Sequence, residues 1–262
     1  CFYAGGSFNF EAFCDEVVSQ FKSSIFIRDI VFIAPDFNKE DVSSQLLNDT
    51  SQLKLKDRIN SFQELDFHTC FIKRSGECEI SIFNETKSPL SNSNVERIIE
   101  FGIFNIITSR NLIIEAHSNI HFIKPSGKHT NKFIDVKNLL ESSAEINFIA
   151  ASLLKMVPTD VNKIYVDTSG IFPLAYELGN LIRAFKNTTD TILIDSFGSY
   201  GGIEEYEFSS DANTLVLISA STSNNLFEKL KKNSSLEQAS LVSVIMTQVN
   251  DGNQKVLVDF EQ

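Results

Sequence analysis

The chain has 262 residues, 42% of them hydrophobic, and it carries 34 acidic against 23 basic side chains, which gives a net charge of −11. This length and hydrophobic content predict one large globular domain or two smaller ones. Because phosphates of nucleic acids and anionic membranes attract basic surfaces, the acidic balance argues against general nucleic-acid or membrane binding. No apolar run is long enough to cross a bilayer and no signal peptide is recognisable, so we expect a cytoplasmic protein.

The first 93 residues predict an α+β module. Phe is abundant at 23 residues while Trp is absent, so Phe is expected to fill much of the core. The predicted elements are a helix over residues 8–21, a strand over 24–34, one helix within 38–60, and a hairpin of strands over 67–73 and 78–83. The Ser-, Asn- and Pro-rich stretch 87–94 is the predicted boundary of this module.

The four cysteines, Cys1, Cys14, Cys70 and Cys78, are too few for a disulfide framework. We expect them to be free thiols in a reducing compartment. Cys70 and Cys78 flank a short turn, and together with His68 they offer a zinc site as an alternative. Their spacing fits no common zinc pattern and no fourth ligand is evident, so we expect no metal here.

From residue 94 onwards, strands alternate with helices. Asn94 is the predicted N-cap of a helix that runs to Ser109, because apolar residues repeat there at three- and four-residue spacing. The further predicted elements are an extended segment over 111–115, a strand–turn–strand over 120–136, helices over 139–156, 171–185 and 226–232, and strands over 163–166, 191–194, 214–219, 241–249 and 255–258. Such alternation predicts an α/β domain with a mostly parallel sheet.

Two kinds of segment suggest an anion site in this domain. The turn of residues 124–129 carries the donors Lys124, Lys128 and His129 beside Gly127, which makes it a candidate anion cradle; a polar hairpin tip is the alternative. Ligands of parallel sheets bind at the carboxyl ends of strands, and the two loops predicted there, 167–170 and 219–225, are rich in small hydroxyl residues.

The order of these parts resembles the orotate-type phosphoribosyltransferases. A helix is followed by a hairpin with F-x-x-x-S-G-[basic]-x-[ST], and later by the loop V-x-x-[ST]-G-[IG]-x-P-L-A. The matching hairpin residues are Phe122, Ser126, Gly127, Lys128, Thr130, Phe133 and Asp135. The matching loop residues are Val166, Ser169, Gly170, Ile171, Pro173, Leu174 and Ala175. The resemblance covers residues 94–262 and leaves 1–93 outside it.

This resemblance implies a phosphoribosyltransferase-like α/β fold, with a mostly parallel central sheet flanked by helices, and an extra N-terminal α+β module of unknown role. It also implies where phosphates would bind. The implied hairpin residues are Lys124, Ser126, Lys128 and His129. In the loop that holds pyrophosphate in the family, they are Thr168, Ser169 and Gly170. At the position of the family's phosphoribosyl-pyrophosphate loop, they are Ser221, Thr222, Ser223, Asn224 and Asn225.

The chain departs from the family at three catalytic elements. In the family, two adjacent acidic residues contact the ribose hydroxyls of the phosphoribosyl donor. An ungapped alignment places the apolar residues 217–218 at these positions, and an alignment shifted by two places Ser219 and Ala220 there. The span 187–228 contains no Lys, Arg or His, although it includes the segment that should form the family's mobile hood, whose basic side chains face pyrophosphate. The lysine expected directly before Ser-Gly is Pro125.

We therefore predict a domain that has lost transfer chemistry and serves as a nucleotide-sensing or protein-binding module of a larger assembly, such as a bacterial antiviral-defence system. No catalytic residue, cofactor or metal is assigned. The expected partners are a nucleotide or phosphoribosyl-type molecule and a protein or second copy of the chain. One alternative is an active transferase with a divergent donor site and Mg²⁺, for which Glu204, Glu205 and Glu207 offer ligands. A second is a structural scaffold without a small ligand.

Three further features have simpler interpretations. Asp167 follows a predicted strand and could act as a base, but propensity favours a helix-capping or turn role. His117, His121 and His129 are close in sequence, and we interpret them as surface residues rather than as a metal site. The glycines within 198–202 lack the dinucleotide-binding spacing and indicate a flexible loop.

Overall fold

The chain folds into two compact units, Cys1–Ile98 and Ile99–Gln262. A computed structural model describes residue 2 and residues 8–23, 29–46, 48–59, 66–82, 90–117, 120–123, 127, 129–221, 225–247 and 254–260. No helix in these ranges is both long enough and apolar enough to cross a membrane.

The elements of the first unit are α1 (Phe10–Ser23), β1 (Asp29–Pro35), α2 (Lys39–Leu46), α3 (Asp49–Ile59), β2 (Asp66–Ile72) and β3 (Cys78–Ile82). The three strands form one sheet with the order β1-β2-β3. β1 and β2 are parallel, and β2 and β3 form the predicted antiparallel hairpin. The polar region predicted to hold one helix holds two, because Asn48 caps the start of α3 by accepting the Ser51 N–H at 2.8 Å.

Phenylalanine fills the core of the first unit, as the composition predicts. Phe13 of α1 packs edge-on against Phe32 of β1 and Phe67 of β2, with ring centroids 5.3 and 6.0 Å apart, and Phe8 lies 5.4 Å from Phe32. Side chains alternate between the two faces of a strand, so Asp66, His68 and Cys70 share the face of β2 opposite to Phe67. All seven residues of β2 are buried.

The second unit contains a five-stranded, fully parallel sheet. Its strands are β8 (Lys163–Val166), β9 (Leu193–Ser196), β10 (Thr214–Ser221), β11 (Ser240–Met246) and β12 (Lys255–Asp259), in the order β12-β11-β10-β8-β9. Four short strands lie outside this sheet in the described ranges: β4 (Ile113–Glu115), β5 (Phe122–Ile123), β6 (His129–Thr130) and β7 (Lys132–Ile134). The helices are α4 (Asn92–Ser109), whose residues fall in both units, α5 (Ser143–Leu153), α6 (Phe172–Lys186), α7 (Ser199–Gly202) and α8 (Asn225–Lys231). The predicted α/β fold class, a parallel sheet flanked by helices with an added N-terminal α+β module, is confirmed.

The strand order creates a switch point in this sheet. β8 pairs with β10, although β9 comes between these two strands in the sequence. β9 pairs with the other side of β8 and forms the edge of the sheet. Counted along the chain from β8, the spatial order is 2-1-3-4-5. In sheets of this order the crevice that receives ligands lies at the carboxyl ends of the two strands where the order reverses. Here those strands are β8 and β10.

The hairpin predicted over residues 120–136 is two separate strand pairs. β5 pairs with β6 around the predicted turn, with Phe122 opposite Thr130 and Ile123 opposite His129. β7, which was predicted to continue the returning strand, pairs instead with β4, so that Ile113 lies opposite Ile134. The apolar residues after the turn thus join a different partner from those before it.

Two predicted helix boundaries were wrong. The cap of α4 is Ser91 rather than Asn94: the Ser91 hydroxyl accepts the Asn94 N–H at 3.3 Å, while the Asn94 side chain accepts the Ser91 N–H at 3.1 Å. This reciprocal pair is a capping box. The predicted helix over 139–156 is shorter, because 3-10 turns over Val136–Leu140 and Leu154–Met156 precede and follow α5.

Candidate functional site

A cleft of about 330 Å³ lies at the carboxyl ends of β8 and β10, within the second unit. One wall is formed by Asp167, Thr168 and Gly170, which follow β8, and by Ser219 and Ser221, which lie in the last residues of β10. The opposite wall comes from β5, β6 and β7 and the turn after β7. The cleft therefore occupies the switch point of the sheet, where the fold predicts a ligand.

Asp167 forms the base of the cleft and ties the two switch-point strands together. Its side chain is 4% exposed. Oδ1 accepts the Ser219 N–H at 2.9 Å, and Oδ2 accepts the Ser219 hydroxyl at 2.7 Å. Burial raises the pKa of Asp167 to about 6, although the hydrogen bonds from Ser219 and from the Thr168 N–H act in the opposite direction. A carboxyl with this pKa can hold or release a proton near neutral pH.

The helix-capping interpretation of Asp167 does not describe this contact. Thr168 caps the next turn, since its hydroxyl accepts the Gly170 N–H at 3.3 Å. α6 then begins at Phe172 with Pro173 in its first turn. Because Thr168 and Gly170 line the cleft, the N-terminal end of α6 and its partial positive charge lie beside it.

Lys137 adds a cation at this polar end, and the sequence-based prediction did not include it. A Cβ built on Gly170 would lie 3.6 Å from Lys137 Cγ and 3.7 Å from Lys137 Cε, so the lysine stem crosses the loop before α6. Among the residues that the structure describes, the Lys137 ammonium has no ion-pair partner. Lys132 also lines the cleft, but it pairs with Glu115 at 3.2 Å.

The wall opposite the sheet is largely apolar. Phe122 of β5 and Phe133 of β7 lie with ring centroids 5.6 Å apart, and Ile123 and Ile134 extend the same wall. Phe133 is 47% exposed and Ile123 is 70% exposed. Exposed aromatic and aliphatic side chains that border a polar cleft are typical of small-molecule sites.

The segment after β9 closes a third side of the cleft through Ser199 and Tyr200. It was predicted to be a flexible glycine-rich loop, but it forms the short helix α7. The Ser199 N–H donates to the Asp167 carbonyl oxygen, and Ser199 holds a left-handed φ of 64°. At Gly202, a Cβ would lie 1.7 Å from the Phe197 carbonyl oxygen, so only glycine fits.

The absence of basic residues from this segment is partly compensated from outside it. Lys229 follows the end of the cation-free span 187–228 directly. Its ammonium pairs with Glu204 at 2.8 Å and lies 4.3 Å from the centre of the Tyr200 ring. The Lys229 side chain thus contacts the segment from α8.

The structure places the predicted phosphate-binding residues in three groups. Those that line the cleft are Thr168, Gly170, Ser221 and Asn225. Those that are described but lie off its walls are His129, whose ring is 6.2 Å from that of His121, and Ser169, which is exposed. Those outside the described residues are Lys124, Ser126, Lys128, Thr222, Ser223 and Asn224.

The zinc alternative built on Cys70 and Cys78 finds no support in the geometry. The two thiols share a hydrogen bond that, together with burial, raises the pKa of Cys70 far above its usual value. Neither Cys70 nor Cys78 is part of a disulfide bond. No group of metal-ligating side chains in the described ranges includes either of them.

No protein-family model and no curated protein sequence matches the chain. Solved orotate phosphoribosyltransferases are among the structures similar to it. The enzyme from Aeropyrum pernix is 10% identical, with 61% of this chain and 95% of that chain covered, at a TM-score of 0.39. The enzyme from Francisella tularensis is 15% identical over 61% and 86% of the two chains, at 0.37. That from Mycobacterium tuberculosis H37Rv is 12% identical over 62% and 97%, at 0.37. Values this low carry no conclusion about activity.

Proposed function

We propose that the cleft binds a nucleoside phosphate and that the second unit senses this ligand without transferring a phosphoribosyl group. One observation carries the proposal: a polar end with Lys137 and the N-terminal end of α6 adjoins a wall that contains Phe122 and Phe133. A nucleotide has the same division into an anionic end and an aromatic base.

The polar end suits a phosphate. The Lys137 side chain crosses Gly170 and brings the ammonium charge to the loop before α6. The positive, N-terminal end of the α6 dipole lies at the same loop. The hydroxyl groups of Thr168 and Ser221 line the same part of the cleft. This is the loop whose motif resembles the pyrophosphate loop of orotate-type phosphoribosyltransferases.

The apolar wall suits a base. Stacking of a base on an aromatic side chain contributes about 1–3 kcal/mol, and it tolerates different bases because each has a π-face. The exposed Phe133 offers such a surface. The aromatic wall therefore favours nucleotide binding but does not select one particular base.

The charges around the cleft favour binding over transfer. Transfer needs cations or metal ions to stabilise the pyrophosphate that leaves. The described cations on the cleft walls are Lys132, which is paired, and Lys137. The family's acidic pair corresponds to residues 217–218 or, after a shift of two, to Ser219 and Ala220 near the end of β10, and neither pair supplies a carboxylate. The nearby carboxylate of Asp167 is held by Ser219.

Calorimetry on the full chain tests the proposal, with adenosine and uridine 5′-monophosphate, and phosphoribosyl pyrophosphate with Mg²⁺, as separate probes. We expect one of the monophosphates to bind without any release of pyrophosphate from phosphoribosyl pyrophosphate. A charge-assisted hydrogen bond is worth about 1.5–3 kcal/mol, so Lys137→Ala should weaken binding by roughly 10- to 100-fold. Lys132→Ala is the matched control, and we expect it to change the affinity much less because Glu115 already pairs with Lys132.

Two results would overturn this assignment. Magnesium-dependent release of pyrophosphate would show an active transferase. If none of the phosphate probes binds, the remaining interpretation is that the second unit is a structural scaffold without a small ligand.

A further inference from the structure

A cluster of three metal-ligating side chains lies in the first unit, independently of the cleft. Asp29 begins β1 and Asp66 begins β2, and the two residues pair directly across the parallel ladder. His68 follows two residues later on the same face of β2 as Asp66. One donor atom from each of the three side chains lies within 4.8 Å of the others, and His68 Nε2 is 3.9 Å from Asp29 Oδ1.

The burial of His68 distinguishes this cluster from an ordinary group of surface acids. The His68 side chain is 0% exposed, and neither of its ring nitrogens has a hydrogen-bond partner among the described residues. Asp66 is 9% exposed. Almost all buried polar groups in proteins have a partner, so a fully buried imidazole beside two carboxylates points to a ligand that accepts its lone pair.

We propose that Asp29, Asp66 and His68 bind a divalent transition-metal ion, Zn²⁺. One imidazole nitrogen and two carboxylate oxygens form a donor set that zinc accepts, and the two negative charges balance the charge of the ion. Mg²⁺ and Ca²⁺ prefer oxygen ligands alone, so the buried imidazole selects against them. The site lies outside the cleft and does not depend on the function proposed for it.

The geometry fits a three-ligand site with an open position. Metal–ligand bonds of about 2.0–2.1 Å place the donors of a tetrahedral site roughly 3.3–3.4 Å apart, somewhat closer than they lie here. The Asp29 side chain is 43% exposed, so it can turn towards the ion. Its exposure also leaves one side open for a water molecule as the fourth ligand, an arrangement typical of zinc sites that are not closed by four protein ligands.

Cys70 is the nearest competing ligand, because it follows His68 on the same face of β2. Its thiol is instead hydrogen-bonded to Cys78. Among the described residues, the cluster of donor atoms within 4.8 Å of one another contains Asp29, Asp66 and His68 but not Cys70. The carboxylates of Asp29 and Asp66 are therefore the ligands that complete the site.

Zinc binding to the chelator-treated full chain tests the proposal, measured by calorimetry and by the bound metal after gel filtration. We expect one Zn²⁺ per chain. Changes that only disturb the surroundings of a metal site typically weaken binding by about 10- to 100-fold, so loss of a ligand in Asp29→Asn should weaken it at least as much. His68→Gln should abolish stoichiometric binding. Cys78→Ser and His117→Gln, which leave the three ligands intact, should bind like the wild type.

Asp29→Asn decides the question even if His68→Gln fails to fold, since Asp29 is exposed and asparagine keeps its shape. Unchanged zinc affinity in Asp29→Asn would overturn the proposal. Less than one zinc per wild-type chain at saturation, or loss of zinc in Cys78→Ser, would also overturn it.

Discussion

Two buried polar clusters of this chain differ in how their groups are satisfied. In the second unit, both carboxylate oxygens of Asp167 accept hydrogen bonds from Ser219. In the first unit, neither ring nitrogen of His68 has a partner within the described ranges. Both clusters join adjacent parallel strands, but Asp167 lies at the carboxyl end of β8, whereas Asp29 and Asp66 lie at the amino ends of β1 and β2.

This difference separates a cluster that the protein completes by itself from one that a ligand would complete. Removal of a member from the Asp167 cluster leaves a buried group unsatisfied, and this costs about 1–3 kcal/mol or more when the group is charged. Removal of His68 from the metal-free protein takes away a group that has no hydrogen-bond partner in the described part of the chain. Substitution should therefore destabilise the protein more in the Asp167 cluster than in the metal-free His68 cluster, and the following variants test that contrast.

The largest effect is expected from Gly202→Ala. α7 positions Ser199, whose N–H donates to the Asp167 carbonyl oxygen, and a Cβ at position 202 would collide with the Phe197 carbonyl oxygen at 1.7 Å. We expect a loss of about 3–4 kcal/mol of unfolding free energy, in the upper range for steric substitutions. Urea unfolding followed by far-UV circular dichroism measures it, since the chain has no Trp. Gly201→Ala is the matched control, because a Cβ there meets nothing within 4 Å.

Asp167→Asn should change the dependence of stability on pH. The pKa of Asp167 rises from 3.8 to about 6 on folding, so between these pH values the folded protein holds a proton that the unfolded chain has lost. The wild type therefore loses stability as the pH rises through this window, by roughly 3 kcal/mol in total. The asparagine side chain of the variant cannot titrate, so the unfolding free energy of the variant should lack this decline. If the unfolding free energies of the two proteins change in parallel between pH 4 and about pH 7, burial does not raise the pKa of Asp167 in the folded protein.

Ser219→Ala removes the hydroxyl that donates to Asp167 Oδ2 at 2.7 Å. A hydrogen bond to a charged acceptor is worth about 1.5–3 kcal/mol, so we expect a loss near 2 kcal/mol at pH 7.5. Ser243→Ala is the control: it removes a buried hydroxyl that donates to the neutral Ile245 carbonyl at 2.9 Å, and about 1 kcal/mol should be lost. Equal losses in the two variants would show that the charge of Asp167 adds nothing to its bond with Ser219.

The fold was largely predictable because its strongest signals are local. Buried parallel strands such as β10 contain short continuous apolar runs, and the small hydroxyl residues Ser219 and Ser221 come after that run at the carboxyl end of β10. The partner of β7 was predicted wrongly, because the choice between β4 and β5 depends on contacts far apart in the sequence. Local pattern likewise placed the cap of α4 at Asn94, although Ser91 supplies it three residues earlier.

The candidate site was predictable only in part, for the same reason. Thr168 and Gly170 belong to a motif within one loop, and they do line the cleft. The bond between Asp167 and Ser219 joins residues 52 positions apart. Lys137 meets Gly170 only through tertiary packing; its one sequence signal is its place two residues after Asp135, which ends the matched hairpin. Sequence spacing grouped His68 with two cysteines, whereas strand pairing groups it with Asp29 and Asp66.

His68→Leu should have the smallest effect, provided that the protein is free of metal. Leucine removes two buried nitrogens without partners among the described residues, so the unfolding free energy of the chelator-treated protein should change by less than about 1 kcal/mol. Zinc at 100 times its dissociation constant should stabilise the wild type by about 2.7 kcal/mol and the variant not at all. A large loss without metal would instead show that His68 is held by Asp29, whose Oδ1 lies 3.9 Å from His68 Nε2, and the two clusters would then both be complete without a ligand.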